Sequence, residues 1–190
     1  MKQIYFSILS FFLFFTTLLF GTEYTIETVP NVHLQNAKAF VSNPDAILSP
    51  STEQQINLLL DSLQTKTSAE VAVVAVNSIG DADIKQFATA LFEHWGIGKR
   101  EKDNGLLILF VLDQRKITFE TGYGLEGILP DAICKRIQTR YMLPEFKTEN
   151  YDKGMLQGLN VIYHRLSTPE VQDELWVQSQ TAQEDWGKGL

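Results

Sequence analysis

A single cysteine, Cys134, stands among the 190 residues, so no internal disulfide can staple the fold and a packed core has to carry stability. Its neighbours Ile133 and Ile137 suggest a buried helix position. Nothing nearby marks an activating base, so a structural thiol is expected rather than a nucleophile. Histidine is scarce as well. His33, His94 and His164 are the only three, and they show neither metal-ligand spacing nor a Ser/His/Asp arrangement. No P-loop motif occurs. Basic residues number 16 against 23 acids, for a formal net charge of −7. That balance argues against binding nucleic acid through its phosphates and suits divalent cations or basic partners. Beyond residue 20 no stretch is apolar enough to cross a membrane, and no internal repeat is visible.

What is present is a core. Hydrophobic residues make up 44% and aromatics 11%, which excludes global disorder. The opening residues stand apart. Lys2 is their one charge, and Ile4 to Phe20 is almost wholly apolar. A short positive start before an apolar middle describes a secretory signal peptide over residues 1–21, with small residues following at Gly21 and Thr22. No A-x-A cleavage pattern accompanies it, so an uncleaved anchor is the alternative; no cysteine marks a lipid-anchored form. Either way the chain is expected to be exported, to the periplasm or beyond.

Residues 22–37 are polar and aperiodic and read as a linker. Asn43-Pro44-Asp45 marks a turn. Ser49-Pro50-Ser51 opens a helix, with a serine N-cap, proline in the first turn and Glu53 at the positive end; Ile56, Leu59, Leu60 and Leu63 give it one apolar stripe. Val71–Val76 reads as a strand covered on both faces. A helix follows with Ile84, Phe87, Ala88, Leu91, Phe92 and Trp95 on one side, ending at Gly96 and Gly98. Leu106–Leu112 is a second buried strand, Asp113-Gln114-Arg115 a tight turn, and Lys116–Thr121 a third strand, so these last two form an antiparallel hairpin. Pro130 and Asp131 start a third helix that Pro144 is expected to end. A fourth runs from about Tyr151 to Leu166, and residues 167–190 are a polar tail. Buried strands need helices on both faces, which predicts a Rossmann-like three-layer α/β/α sandwich whose mixed sheet contains a central hairpin. The crossover between the first two strands holds a helix, so they run parallel.

That topology predicts which loops meet. The charged loop 99–105 lies where the second strand begins, and the hairpin returns the third strand to the same end. The glycine loop Gly122, Gly124, Gly127 and its flank should therefore lie beside it, gathering Asp103, Asn104, Glu126 and Asp131. Such oxygens suit a hard cation, since calcium takes about 6–8 oxygen ligands and would offset carboxylate repulsion. The plainer alternatives are that Asp131 merely complements a helix N-terminus and that Asn104-Gly105 is only a turn.

Several spaced motifs carry a resemblance. W-G-I-G-K-R-E-K-D-N-G-L-L-I-L at 95–109, D-Q-R-K at 113–116, T-G-Y-G-L-E-G-I-L-P-D at 121–131 and V-S-N-P-D-A-I-L-S at 41–49 resemble the TPM domain in order and kind. P-x-F at 144–146, with Gly154 and Gly158, is similar to its closing helix. The resemblance spans about residues 38–166. It implies an α/β/α sandwich in an extracytoplasmic or lumenal location. Among the family's members are calcium binders, proteins proposed as acid phosphatases and accessory factors of membrane protein complexes, so it implies no single activity. By position it places acidic motif residues at Asp103, Glu126 and Asp131, with Asn104 beside them. Asn43 stands where the opening motif usually has an acid; its amide keeps an oxygen but not the charge, and Asp45 lies two residues on.

Two functions are then open: a calcium-binding accessory or interaction module of the cell envelope, or a metal-dependent acid phosphatase acting on phosphomonoesters through the same carboxylates. Lys99, Arg100 and Lys102 would attract a phosphate, or simply be a solvated charged loop.

Overall fold

A computed structural model describes residues 22–98 and 101–168. Residues 1–21, where a signal peptide is expected, the tail from 169 on, and Lys99 and Arg100 lie outside the described residues. Four strands form one sheet in the order β1 (Val41–Ser42), β2 (Glu70–Val76), β3 (Gly105–Val111), β4 (Lys116–Thr121). β1, β2 and β3 are parallel and β4 runs antiparallel to β3. The hairpin therefore closes one side of the sheet: β3 is interior, with all seven residues buried, and β4 is the edge. β1 was not expected as a strand. Two residues are too few for a periodic pattern, and pairing with Val73 and Val74 is what makes them one.

Alternation along the strands sorts the core into two halves. Val71, Val73, Ala75, Leu106, Ile108 and Phe110 face one side, against α1 (Pro50–Thr67), α3 (Asp131–Ile137) and α5 (Tyr151–Ser167). Val74, Val76, Leu107, Leu109 and Val111 face the other, against α2 (Ile84–Trp95). This is the three-layer arrangement the buried strands required. α1 is capped as its sequence suggests: the Ser49 hydroxyl accepts from the Thr52 amide at 3.3 Å, and Pro50 occupies the first turn. Each fully buried Leu or Ile of its stripe contributes about 1.5–3 kcal/mol, and Ile56, Leu60 and Leu63 are all fully or nearly so.

The first part of the segment read as a linker, residues 23–29, packs on the second layer, while residues 33–37 are exposed. The Tyr24 amide donates to Ser78 O at 2.9 Å, Glu23 bridges to Ser78, and Tyr24 and Val29 are buried on the α2 side. Its polarity concealed two anchors too far apart for either period. Pro144 does not end the third helix either. The chain passes from α3 through a π-turn, Gln138–Met142, into α4 (Leu143–Phe146), where Pro144 sits in the first turn. There its missing N–H costs nothing, and the wider turn makes room for its ring. α5 closes over this segment because Gly158 and Gly154 leave space for Met142 and Phe146; a β-carbon at either would meet them at 2.6 Å.

Candidate functional site

The loops before β3 and after β4 interlock through backbone. Gly105, the first residue of β3, accepts from the Gly122 amide at 2.8 Å, and Asp103 O accepts from the Gly124 amide at 3.0 Å. The approach is so close that only glycine fits. A β-carbon on Gly122 would lie 2.1 Å from Asp103 O, and one on Gly124 would lie 1.9 Å from Lys102 O. Asp103 itself takes a left-handed backbone, φ +44°, which Asp tolerates better than most residues. The glycine loop then folds into a short 3-10 turn, Tyr123–Leu125, pinned beneath by buried Leu125, Ile128 and Leu129. Leu129 N donates to Leu125 O at 2.7 Å. At its apex Tyr123 is 79% exposed, an aromatic held outward on a braced turn.

The residues picked from sequence meet different fates. Asp103 and Glu126 are exposed on these neighbouring loops, as is Gly127. Asn104 is buried, and its amide donates to Ser68 O at 2.8 Å and to Ser68 Oγ at 3.1 Å. That side chain ties the loop to the left-handed end of α1 at Ser68, φ +63°. Asn43 lies at the opposite end of the sheet: it follows β1, level with the exit of β2, whereas Asp103 precedes β3. Its amide donates to Leu48 O and to the Glu53 carboxylate, and its carbonyl accepts from the Leu48 amide. It therefore belongs to the turn before α1, not to the Asp103 loop. Asp45 is likewise engaged at that end, accepting from the Asn77 amide at 2.8 Å and the Tyr24 hydroxyl at 3.2 Å. Asp131 opens α3 and lines a groove beside β4 with Lys85, Cys134 and Lys135. Among the described residues no three His, Cys, Asp or Glu side chains are grouped to hold a metal ion.

Cys134 is buried, and its thiol donates to Leu129 O at 3.2 Å. Burial, and then the nearby Asp131 carboxylate, push its pKa up to about 11. A thiol so reluctant to ionise is a poor nucleophile. Burial and then Asp45 likewise raise Tyr24. Tyr123 is the residue that sequence reasoning passed over. An aromatic between two glycines was the available signal, but only coordinates reveal that it points outward.

The fold and the rim define the class: a mixed-sheet α/β/α domain with a braced, glycine-built loop pair at one end of the sheet. The chain matches the TPM domain model over residues 41–165, and it belongs to that family. Similar solved structures agree. The N-terminal domain of a P. gingivalis protein is 40% identical with a TM-score of 0.72, covering 76% of this chain and 92% of that one. The BA42 protein of the psychrophilic bacterium Bizionia argentinensis shares 18% identity at a TM-score of 0.57, over 66% of this chain and 86% of its own. The N-terminal domain of cg2496 from Corynebacterium glutamicum shares 15% at 0.55, over 74% and 85%. The latter two are alike in fold alone. A search of curated proteins finds no match.

Proposed function

We propose that this TPM domain is an exported, non-catalytic interaction module of the cell envelope whose working surface is the rim formed by residues 101–105 and 122–126. The observation that carries this reading is Tyr123, 79% exposed on a turn whose flanking glycines are locked to the Asp103 loop. A rigid, projecting aromatic loses little entropy on docking, and such residues are frequent anchors of protein interfaces. The Asp103 and Glu126 carboxylates beside it favour a basic partner surface. Export by residues 1–21 and an envelope partner are part of the same proposal.

Calcium is the ion proposed for this rim. With Asn104 and Asn43 spent on internal bonds and Asp131 lining the groove beside β4, its protein ligands reduce to the Asp103 and Glu126 carboxylates and loop carbonyls. A hydrated site of that kind binds in the millimolar range, about 10⁻⁴–10⁻³ M. Calcium titration of the full chain by calorimetry tests it. The expected result is one weak site lost in Asp103→Ala with Glu126→Ala. No heat at 10 mM calcium, roughly tenfold above the weakest such sites, removes the ion from the proposal. Turnover of p-nitrophenyl phosphate that vanishes in the same double variant would replace the binding reading with the phosphatase one. The interface reading is tested separately, by Tyr123→Ala. It should abolish co-purification with the envelope partner and leave the melting temperature unchanged; retained co-purification would refute it.

A further inference from the structure

The edge of the sheet opposite β1 is a second surface, independent of the rim. β4 pairs only with β3 among the described strands. The Gly122 amide bonds Gly105 O, and this pair continues the β3–β4 register. In an antiparallel ladder hydrogen-bonded pairs alternate, so Lys116, Thr118 and Glu120 turn their backbone groups towards β3. Ile117, Phe119 and Thr121 therefore turn theirs outward. The Lys85 contact agrees: its ammonium reaches Phe119 O from outside at 3.2 Å and pairs with Glu120 at 2.6 Å. Among the described residues no strand neighbours the other outward groups.

This edge forms the floor of a groove of about 470 Å³ between α2 and α3. On a chain of net charge −7 the groove is basic. Lys85, Arg115, Lys116 and Lys135 line it, against Asp131 as its one acidic lining residue; Glu120 adjoins through Lys85. Lys85 behaves as an edge guard, capping one outward carbonyl with a charge. Cys134, Gln138 and Leu143 supply a less charged wall.

We propose that β4 accepts an acidic, extended segment of a partner protein as a fifth strand in this groove. Main-chain bonds to Ile117, Phe119 and Thr121 would supply affinity, and carboxylates on the incoming strand would supply specificity through Lys116, Lys135 and a Lys85 released from Phe119 O. A second copy is the poorer occupant, since two such edges would bring like charges together. The chain's own residues 169–190 hold Glu170, Asp173, Glu174, Glu184 and Asp185 against one base, Lys188, and are separated by the test.

The probe is an end-capped peptide of eight alternating glutamate and valine residues, added to the full chain and followed by amide NMR and hydrogen exchange. Its controls are a lysine–valine counterpart and a version N-methylated at alternate residues. The expected result is slowed exchange at Ile117, Phe119 and Thr121 with the glutamate peptide alone. Lys116→Glu with Lys135→Glu should weaken binding roughly tenfold, with an unchanged melting temperature reporting that the fold is intact. Four results overturn the proposal. No binding at millimolar peptide does so, and so does undiminished binding of the N-methylated peptide, which would mark mere charge attraction. Protection already present in the free chain and lost on deleting residues 169–190 would assign the groove to the chain itself. Protection that grows with protein concentration would assign it to a second copy.

Discussion

Gly124→Ala probes the contact on which the rim depends. The new methyl would stand 1.9 Å from Lys102 O, 3.1 Å from Lys102 C and 3.3 Å from Asp103 C. All three are backbone atoms, so no side chain can swing aside. Restoring ordinary contact near 3.4 Å moves one loop by about 1.5 Å, and a 3.0 Å bond from the Gly124 amide to Asp103 O goes with it. Overpacking of this kind costs about 1–3 kcal/mol, and the lost bond about 0.5–1.5 kcal/mol. Alanine recovers about 0.4–1 kcal/mol by restricting the unfolded chain. The net expectation is a loss of about 0.5–4 kcal/mol, centred on about 2 kcal/mol. That is a large share of a total stability of about 5–15 kcal/mol. Urea unfolding reports it as a lower midpoint at unchanged slope. Gly96→Ala is the control: its β-carbon meets nothing within 4 Å, and only the left-handed φ of +61° penalises it, at about 1–2 kcal/mol. Hydrogen exchange supplies a local readout, because the Gly124 amide should lose protection in its own variant and keep it in the control. Gly124→Ala with wild-type stability, or milder than Gly96→Ala, would show that the loops are not locked together.

Three further outcomes follow from the same coordinates. Asn104→Ala should cost about 1–3 kcal/mol by stranding Ser68 O, while Asn104→Asp should cost no less because a carboxylate cannot donate to that carbonyl; a neutral Asn104→Ala in urea melts would make the side chain dispensable. Asp45→Ala should free the Tyr24 hydroxyl and the Asn77 amide, raising proteolysis near residue 24 at least severalfold, as local unfolding equilibria predict; unchanged cleavage would return residues 22–37 to a linker. Cys134 and Tyr24 both have folded-state pKa values raised above their ordinary ones. At these two groups the folded chain therefore binds more protons than the unfolded one at alkaline pH, and their contribution to stability falls as pH climbs from about 9 towards 11; Tyr163, lowered by its hydrogen bond from Lys66, acts in the opposite sense. Cys134→Ser should flatten that fall in a pH series of urea melts, and the wild-type thiol should resist iodoacetamide at pH 8; rapid labelling there would contradict its burial.

Most of the scaffold was legible because it rests on local periodicity. Val71–Val76 and Leu106–Leu112 are continuous apolar runs that only a doubly covered strand accommodates, and Ser49-Pro50 before the Ile56–Leu63 stripe specifies a capped helix. Parallel pairing of β2 and β3 followed from the helix between them, and from that pairing followed the expectation that loops 99–105 and 122–131 lie side by side; Asp103 and Gly105 do bond Gly124 and Gly122, while Asp131 lines the groove beside β4. Other features depended on partners distant in the chain. Val41–Ser42 is a strand only beside Val73–Val74, and Tyr24 is core only beneath Ser78 and Asp45. Asn43 and Asn104 look equally able to offer an oxygen in sequence. Tertiary structure sets them at opposite ends of the sheet and commits each amide to an internal bond. Residue order can specify which groups lie on one strand or helix, because those spacings are set by the backbone's own repeat. Which side chains remain free to meet a ligand is decided by bonds closed across the fold, and the exposed Tyr123 and the outward edge of β4 emerge only there.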